Sequence, residues 1–163
     1  MRLLQHTDYA MRVLMYAATL GEAGRLTSIR EIAEGYAISE NHLMKVVHRL
    51  GQLQLLHTVR GRNGGLRLAR SPAEIRVGSV IRLLEQDASL VECFGGHSNC
   101  RLQGHCGLAA VIAEGHEAFF AALDRYTLSD VLPRSAPPRF KRWPDGFVKL
   151  HVMPTSVKGR RAS

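Results

Sequence analysis

The chain has 163 residues, of which 45% are apolar and 22% charged, a balance typical of a globular protein with one domain or slightly more. No apolar run is long enough to span a membrane, and the N-terminal residues lack the apolar region of a signal peptide. We therefore expect a cytoplasmic protein. The net charge of +8 is uneven: residues 41–73 contain six Lys or Arg side chains and no Asp or Glu. Such a basic zone indicates a surface for a polyanion.

The first predicted helix runs from about Thr7 to Leu20. Thr7 is its expected N-cap, and Asp8 lies in the first turn, where the helix dipole favours an anion. Apolar residues at helical spacing form two faces, one with Ala10, Val13, Leu14 and Ala17 and the other with Met11, Met15 and Ala18. We therefore expect this helix to be covered on two sides.

A helix-turn-helix is predicted over about residues 28–51. Ser28 and Glu31 have the spacing of a capping box that opens a short helix, and residues 34–38 resemble a tight turn. Ser39 is the expected cap of a second helix that extends to about Leu53. Apolar residues at helical spacing should point inward, namely Leu43, Val46, Val47 and Leu50, while a polar and basic set points outward, namely Asn41, His42, Lys45, His48 and Arg49. This pattern is typical of a DNA-reading helix.

A β-hairpin is predicted directly after it, over about residues 57–68. Two alternating segments flank the pair Asn63-Gly64, which suits a tight hairpin turn. A hairpin in this position is the wing of a winged helix. Asn41, His42 and Lys45 are candidates for contacts with base edges, whereas arginines would hold phosphates or probe the minor groove. The complete set of candidate DNA-contacting residues is Ser28, Ser39, Asn41, His42, Lys45, Arg49, Arg60, Arg62 and Asn63.

The three cysteines of the chain, Cys93, Cys100 and Cys106, fall within fourteen residues. The segment is rich in Gly, Ser and Asn, which predicts a loop. An odd number of thiols cannot form a closed set of disulfides, and thiolates at this density are typical of iron–sulfur or zinc sites. The gaps between the cysteines are wider than those of a common zinc knuckle. Iron–sulfur cluster, zinc and purely structural thiols all remain open at this point.

Helices are predicted on both sides of the cysteine loop, over Val77–Glu85 and from Leu108 to about Tyr126. The second has a broad apolar stripe, which indicates either core packing or a two-fold dimer interface, and we favour a homodimer. Residues 133–163 contain five prolines and many basic residues, and we expect a disordered tail. The predicted organisation is therefore a DNA-binding domain over residues 1–75, a region over 76–132 that contains the cysteine loop and the dimerisation helix, and the tail.

No motif of a hydrolase, metalloprotease, nucleotide-binding or dinucleotide-binding enzyme occurs in the sequence. We therefore expect a protein that is not an enzyme. The predicted fold class is mainly α with a small β-hairpin wing, that is, a winged helix-turn-helix followed by a long dimerisation helix.

Several motifs in this order resemble the Rrf-type winged-helix transcriptional regulators, and in particular the nitric-oxide-sensing iron–sulfur repressors among them. They are the triple-cysteine loop, Thr7-Asp-Tyr-Ala-Met-Arg12, Ser39-Glu-Asn-His-Leu-Met-Lys-Val-Val47, Val59-Arg-Gly-Arg-Asn-Gly-Gly-Leu-Arg-Leu68 and Leu123-Asp-Arg-Tyr-Thr-Leu-Ser-Asp130. The resemblance extends over about residues 1–132.

The resemblance implies a homodimer that binds a palindromic operator in double-stranded DNA. It also implies one iron–sulfur cluster per subunit, held by Cys93, Cys100 and Cys106 together with Asp8 of the partner subunit. A 4Fe–4S cluster is favoured and 2Fe–2S is the alternative. Reaction of nitric oxide with the cluster would release the operator of nitric oxide detoxification genes.

Related regulators of the same family use a histidine three residues after the last cysteine as the fourth ligand. This chain has Ala109 at that position, and neither His97 nor His105 has the required spacing. This difference favours the nitric-oxide-sensing group. The alternatives are a cluster-dependent redox regulator of the histidine-ligated kind and a repressor that uses zinc or thiols only for stability. A cluster carrier would have no use for a winged helix.

Overall fold

The structure is a computed structural model that describes residues 3–21, 25–61, 64–85, 91, 94, 100–102 and 105–132. Five α-helices and one antiparallel hairpin make up most of the described part of the chain. The helices are α1 (Gln5–Gly21), α2 (Ile29–Tyr36), α3 (Glu40–Gln52), α4 (Val77–Leu84) and α5 (Gly107–Leu123), and the strands are β1 (Leu56–Val59) and β2 (Gly65–Leu68). The predicted fold class, mainly α with a hairpin wing, is confirmed.

Helix α1 lies at the centre of the core and packs against α3 and β2. Both predicted apolar faces are confirmed, since Ala10, Val13 and Leu14 are fully buried and Met11 and Met15 pack against the core. The predicted N-cap at Thr7 is wrong. The backbone carbonyl of Leu4 accepts hydrogen bonds from the backbone N–H groups of Thr7 and Asp8, at 3.0 and 3.1 Å. The helix therefore opens before Thr7.

The capping box at the start of α2 is confirmed. The hydroxyl of Ser28 accepts a hydrogen bond from the backbone N–H of Glu31 at 3.1 Å, and the Glu31 carboxylate accepts one from the backbone N–H of Ser28 at 2.8 Å. The turn predicted at residues 34–38 is mostly wrong, because α2 continues to Tyr36. The chain turns instead at Ala37, which has a left-handed backbone with φ of 53° and donates its N–H to the Ala33 carbonyl.

Helix α3 begins after Ser39, as predicted, although the Ser39 side chain makes no capping hydrogen bond. Strands β1 and β2 pair in the register Leu56 with Leu68 and Val59 with Gly65. The Thr27 backbone forms an isolated bridge to Leu66 beside the hairpin. A Cβ on Gly65 would lie 2.6 Å from the Thr27 carbonyl oxygen, so this close approach of two backbones requires glycine.

The second half of the described chain is tied to the first through residues that follow α5. The backbone N–H of Leu128 donates to the Ile75 carbonyl at 2.7 Å, and that of Val77 donates to the Tyr126 carbonyl at 2.9 Å. Leu128 is fully buried in the main core. Helix α5 ends at Leu123, so the predicted extension to Tyr126 is wrong. None of the described helices is both long and apolar enough to cross a membrane.

Candidate functional site

Helix α3 separates its apolar and polar residues as the sequence predicted. Leu43, Val46, Val47 and Leu50 are all buried. On the opposite side Asn41, His42 and Lys45 are exposed, whereas Arg49 is half-buried. The ring of His42 stacks on that of Tyr9 in α1, with centroids 6.4 Å apart and planes 29° apart. Helix α1 therefore packs beneath α3 and also supports the ring of one of its exposed residues.

The wing places further basic and polar side chains next to this helix in sequence. His57, Thr58 and Arg60 are exposed, and Gly61 has a φ of 110°, a conformation that favours glycine. Arg62 and Asn63, the predicted tip residues, lie outside the described residues. The structure therefore places only Arg60 of the three predicted wing contacts.

Two predicted contact residues lie at helix starts. The Ser28 hydroxyl is engaged in the capping box of α2. Ser39, at the start of α3, is exposed and forms no capping hydrogen bond. Helix N-termini carry unpaired backbone N–H groups that suit phosphate oxygens. Among the described helices, α3 is therefore the one that begins next to an exposed serine and continues into the basic zone of residues 41–73.

The cysteine segment is described only in part. Cys93 and His97 lie outside the described residues, Cys100 is exposed, and Cys106 is half-buried. Cys106 is the N-cap residue of α5, and its side chain makes no capping hydrogen bond. Cysteine sulfur is a soft ligand that suits iron and zinc. Cys106 is therefore a candidate metal ligand.

Asp8 lies in the first turn of α1, and its carboxylate forms an ion pair with Arg12 one turn later, at 2.7 Å. The side chain of Asp8 is 46% exposed, so this carboxylate is also accessible to a ligand. Among the described residues, no group of three or more His, Cys, Asp or Glu side chains is placed to hold a metal ion.

Arg12 connects this carboxylate to the helix-turn-helix. Its guanidinium lies over the ring of Tyr36, 5.9 Å from the ring centroid, and Tyr36 packs edge-on against Tyr16. Burial raises the pKa of Tyr36 to about 12 although the charge of Arg12 acts in the opposite direction. Tyr36, the last residue of α2, is therefore a neutral phenol in contact with Arg12, and Arg12 is the residue that forms the ion pair with Asp8.

Most of helix α5 is left uncovered in the single subunit. It has 17 residues, and Phe120 is its one buried side chain. Leu108 and Val111 are each 66% exposed and lie on one face with Gly115, which is also exposed. One side of the apolar stripe therefore packs against α4 through Phe120, and the other side, with Leu108 and Val111, is uncovered.

Buried apolar side chains join α4 to α5, namely Val77, Ile81 and Phe120. Arg82 in α4 adds polar contacts that sequence reasoning did not identify. Its guanidinium lies 4.2 Å from the centroid of the Phe120 ring and contacts carboxylate oxygens of Glu117 at 3.4 Å and Asp124 at 3.5 Å. The isolated sequence offers no signal for this cluster, because the three partners lie more than thirty residues away from Arg82. These contacts fix the two helices that flank the cysteine segment.

Comparison with known proteins agrees with this architecture. Residues 3–134 match the Rrf2 family, described as iron-dependent transcriptional regulators. The chain is 47% identical to the HTH-type transcriptional regulator NsrR of Bacillus licheniformis over 133 residues, which cover 81% of this chain and 92% of that protein. It is 49% identical to NsrR of Geobacillus kaustophilus, with 81% and 90% of the two chains covered.

Solved structures with the same fold include T. potens IscR, at 27% identity and a TM-score of 0.63, covering 80% of this chain and 85% of that one. They also include CymR, the global cysteine regulator of B. subtilis, at 25% identity and a TM-score of 0.65, covering 83% and 99%. The predicted resemblance to the family is confirmed, as is the expectation that the chain is not an enzyme. The chain is a member of the Rrf2 family of transcriptional regulators and, as such, binds DNA.

Proposed function

We propose that the protein is a homodimeric, nitric-oxide-responsive repressor whose DNA binding depends on an iron–sulfur cluster. The observation that carries the proposal is the position of the cysteine segment, which lies between α4 and α5 and ends with Cys106 at the start of α5. A group bound by this segment acts directly on the helix whose apolar face is uncovered. Similarity to proteins named NsrR, at 44–49% identity, supports the choice of effector.

The DNA-binding part of the proposal rests on α3 and the wing. Residues 1–75 form the DNA-binding domain, with α3 in a major groove and the wing against the neighbouring backbone. Asn41, His42 and Lys45 contact base edges from the exposed side of α3. A second set of residues holds the phosphates or probes the minor groove, namely Ser28, Ser39, Arg49, Arg60, Arg62 and Asn63.

The dimer part of the proposal rests on the uncovered side of α5. Residues 76–132 bind the cluster and form the interface, in which Leu108 and Val111 of each subunit pack against a second copy around a two-fold axis. Two α3 helices related in this way reach half-sites about one turn of DNA apart, which requires a palindromic operator.

The donor set fits an iron–sulfur cluster. Cys93, Cys100 and Cys106 provide three soft thiolate ligands, and Asp8 of the partner subunit provides the fourth, an oxygen ligand that is weaker for iron. Such a set can hold either nuclearity; the resemblance favours 4Fe–4S, with 2Fe–2S as the alternative. When bound, the cluster supplies iron that reacts with nitric oxide. As a ligand, Asp8 would tie the first helix of one subunit to the cysteine segment of the other, and its loss from the site would free α1 and the helix-turn-helix that packs on it to reorient.

The experiment is anaerobic purification of the full chain, followed by metal and sulfide analysis, native mass spectrometry and operator binding before and after nitric oxide. The proposal predicts coloured protein with iron and sulfide, and DNA affinity that falls on nitric oxide addition. Cys100→Ser should lose the cluster, whereas the control His105→Ala should retain it. Colourless protein with tightly bound zinc would refute the cluster. DNA binding that is indifferent to nitric oxide would remove the sensor but leave the regulator.

A further inference from the structure

Met44 is a large apolar side chain on the otherwise polar side of α3. It is 50% exposed, whereas the other large apolar side chains of this fully described helix are at most 4% exposed. Met44 therefore contributes little to the core, and the fold does not explain why an apolar residue stands there. Single exposed apolar residues are common on protein surfaces, so its exact position on the helix decides its meaning.

That position is on the face that carries the polar candidates for DNA contact. Asn41, Met44, Lys45 and His48 follow the spacing i, i+3, i+4, i+7, which places them on one side of an α-helix, and all four are exposed. No acidic residue occurs between residues 41 and 73. Glu40, one turn before Met44, is also exposed, and its carboxylate lies 3.8 Å from the Arg30 guanidinium. Met44 is thus a single apolar group among polar and hydrogen-bonding side chains, as on a surface that faces nucleic acid, and not part of an apolar protein patch.

We infer that Met44 reads the 5-methyl group of a thymine in the major groove. This inference rests on the proposed role of α3 as the DNA-reading helix. The thymine methyl group is the apolar feature that the major groove presents to a protein, and it is read by apolar contact. Methionine has a long, flexible and polarisable side chain that adapts to such a target. The side-chain amide of Asn41, one turn earlier on the helix, can form a pair of hydrogen bonds with the major-groove edge of an adenine.

The test uses the full-length protein, purified anaerobically, and a duplex selected by the protein from a random-sequence pool. Each thymine of the selected duplex is replaced in turn by deoxyuridine, which lacks only the methyl group. We expect wild-type affinity to fall about fourfold at one or two positions in each half-site, the change that corresponds to one buried methyl group. At those positions Met44→Gln should bind thymine and deoxyuridine duplexes equally, while Met44→Leu should keep the preference.

Met44→Ala is a second variant that removes the contact without adding a polar group, and it should behave as Met44→Gln does. Thermal unfolding should be nearly unchanged in all three variants because the side chain is half exposed. The inference fails if wild-type protein is indifferent to deoxyuridine at every position, or if Met44→Gln retains the same thymine preference. Failure to select any specific duplex would instead overturn the proposed role of α3, and this inference with it.

Discussion

The carboxylate of Asp124 lies against the α-carbon of Gly78, in the space that a larger residue at position 78 would need. A Cβ built on Gly78 would be 2.7 Å from the Asp124 carboxyl carbon and 2.8 Å from its backbone nitrogen. One carboxylate oxygen of Asp124 is buried without a hydrogen-bond partner among the described residues. Asp124 follows the last residue of α5 and Gly78 lies in the first turn of α4, so this contact sets how closely the two helices approach.

We expect Gly78→Ala to destabilise the protein by about 1–3 kcal/mol, because the new methyl group overlaps backbone as well as side-chain atoms. The free energy of unfolding in urea measures this change. Gly51→Ala is the matched control, since Gly51 also lies in a helix but a Cβ there would meet nothing within 4 Å. The control should be neutral or slightly stabilising. Equal effects of the two substitutions would contradict the close approach of Asp124 to Gly78.

The proposed dimer interface can be tested by a charge on the uncovered side of α5. Val111→Glu places a carboxylate among apolar side chains that the proposed interface removes from water, so we expect the dimer to dissociate at least tenfold more readily. Ala110→Glu is the control, because Ala110 is also exposed but lies on the side of α5 that carries Glu114 and Glu117. Sedimentation equilibrium measures both. A Val111→Glu protein that dimerises like wild type would exclude this face as the interface.

Salt dependence separates phosphate contacts from base contacts. Arg60 is exposed and directly follows β1. Because its guanidinium is expected to neutralise one phosphate, Arg60→Ala should reduce the slope of log affinity against log salt concentration by about 1. Binding to specific and nonspecific duplexes should weaken alike. Arg125→Ala, which removes an exposed arginine outside the basic zone, should leave the slope unchanged. A preserved slope in Arg60→Ala would place the wing away from the DNA backbone.

The charge of Glu31 should contribute to stability in a pH-dependent manner. Partial burial acts to raise the pKa of Glu31, but the hydrogen bond from Ser28 and the charge of Arg25 outweigh it and lower the pKa. A carboxylate with a lowered folded-state pKa stabilises the protein above its unfolded pKa and loses that effect as pH falls through the folded value. Glu31→Gln should therefore be less stable by up to about 1 kcal/mol at pH 7. This difference should shrink as the pH falls below the unfolded pKa of about 4.3 and disappear below the lowered folded-state pKa.

Glutamine can replace the capping hydrogen bond, so the substitution isolates the charge. The control is Glu34→Gln in the same helix. The Glu34 side chain is 73% exposed, and its Oε1 lies 3.8 Å from Nε of Arg30. It should have almost no effect at any pH. Denaturant unfolding at several pH values compares the three proteins. A constant difference between Glu31→Gln and wild type from pH 3 to 7 would show that the charge has no role.

The fold was largely predictable because its main signals are local. The capping box of Ser28 and Glu31, the apolar period of α3 and the alternating strands of the hairpin all depend on residues a few positions apart. The errors were at helix ends. The carbonyl of Leu4 opens α1 before Thr7. The turn expected over residues 34–38 is made by Ala37 in a left-handed conformation, after α2 has continued to Tyr36. Tertiary packing sets such boundaries, and sequence propensity does not.

The candidate sites were predictable to different degrees. Which residues of α3 are exposed follows from helical periodicity, and the structure agrees for Asn41, His42 and Lys45. The ligand set, in contrast, came from family resemblance, and its roles stay predictions. The cluster around Arg82 could not be found from sequence, since it depends on how α4 and α5 pack. Met44 could have been noticed as an apolar residue out of phase with the buried face.

The contacts of Arg82 with Phe120, Glu117 and Asp124 have a consequence for the segment between α4 and α5. Together with the buried cluster of Val77, Ile81 and Phe120, they hold the two ends of residues 85–106 near each other through side chains of the protein. The chain therefore loses part of the entropy of closing that loop when the protein folds, before any metal is bound. In zinc fingers, by contrast, metal binding and folding are one event. If the cysteines bind a metal centre as proposed, we expect the chain to stay folded when that centre is removed and to accept a new one.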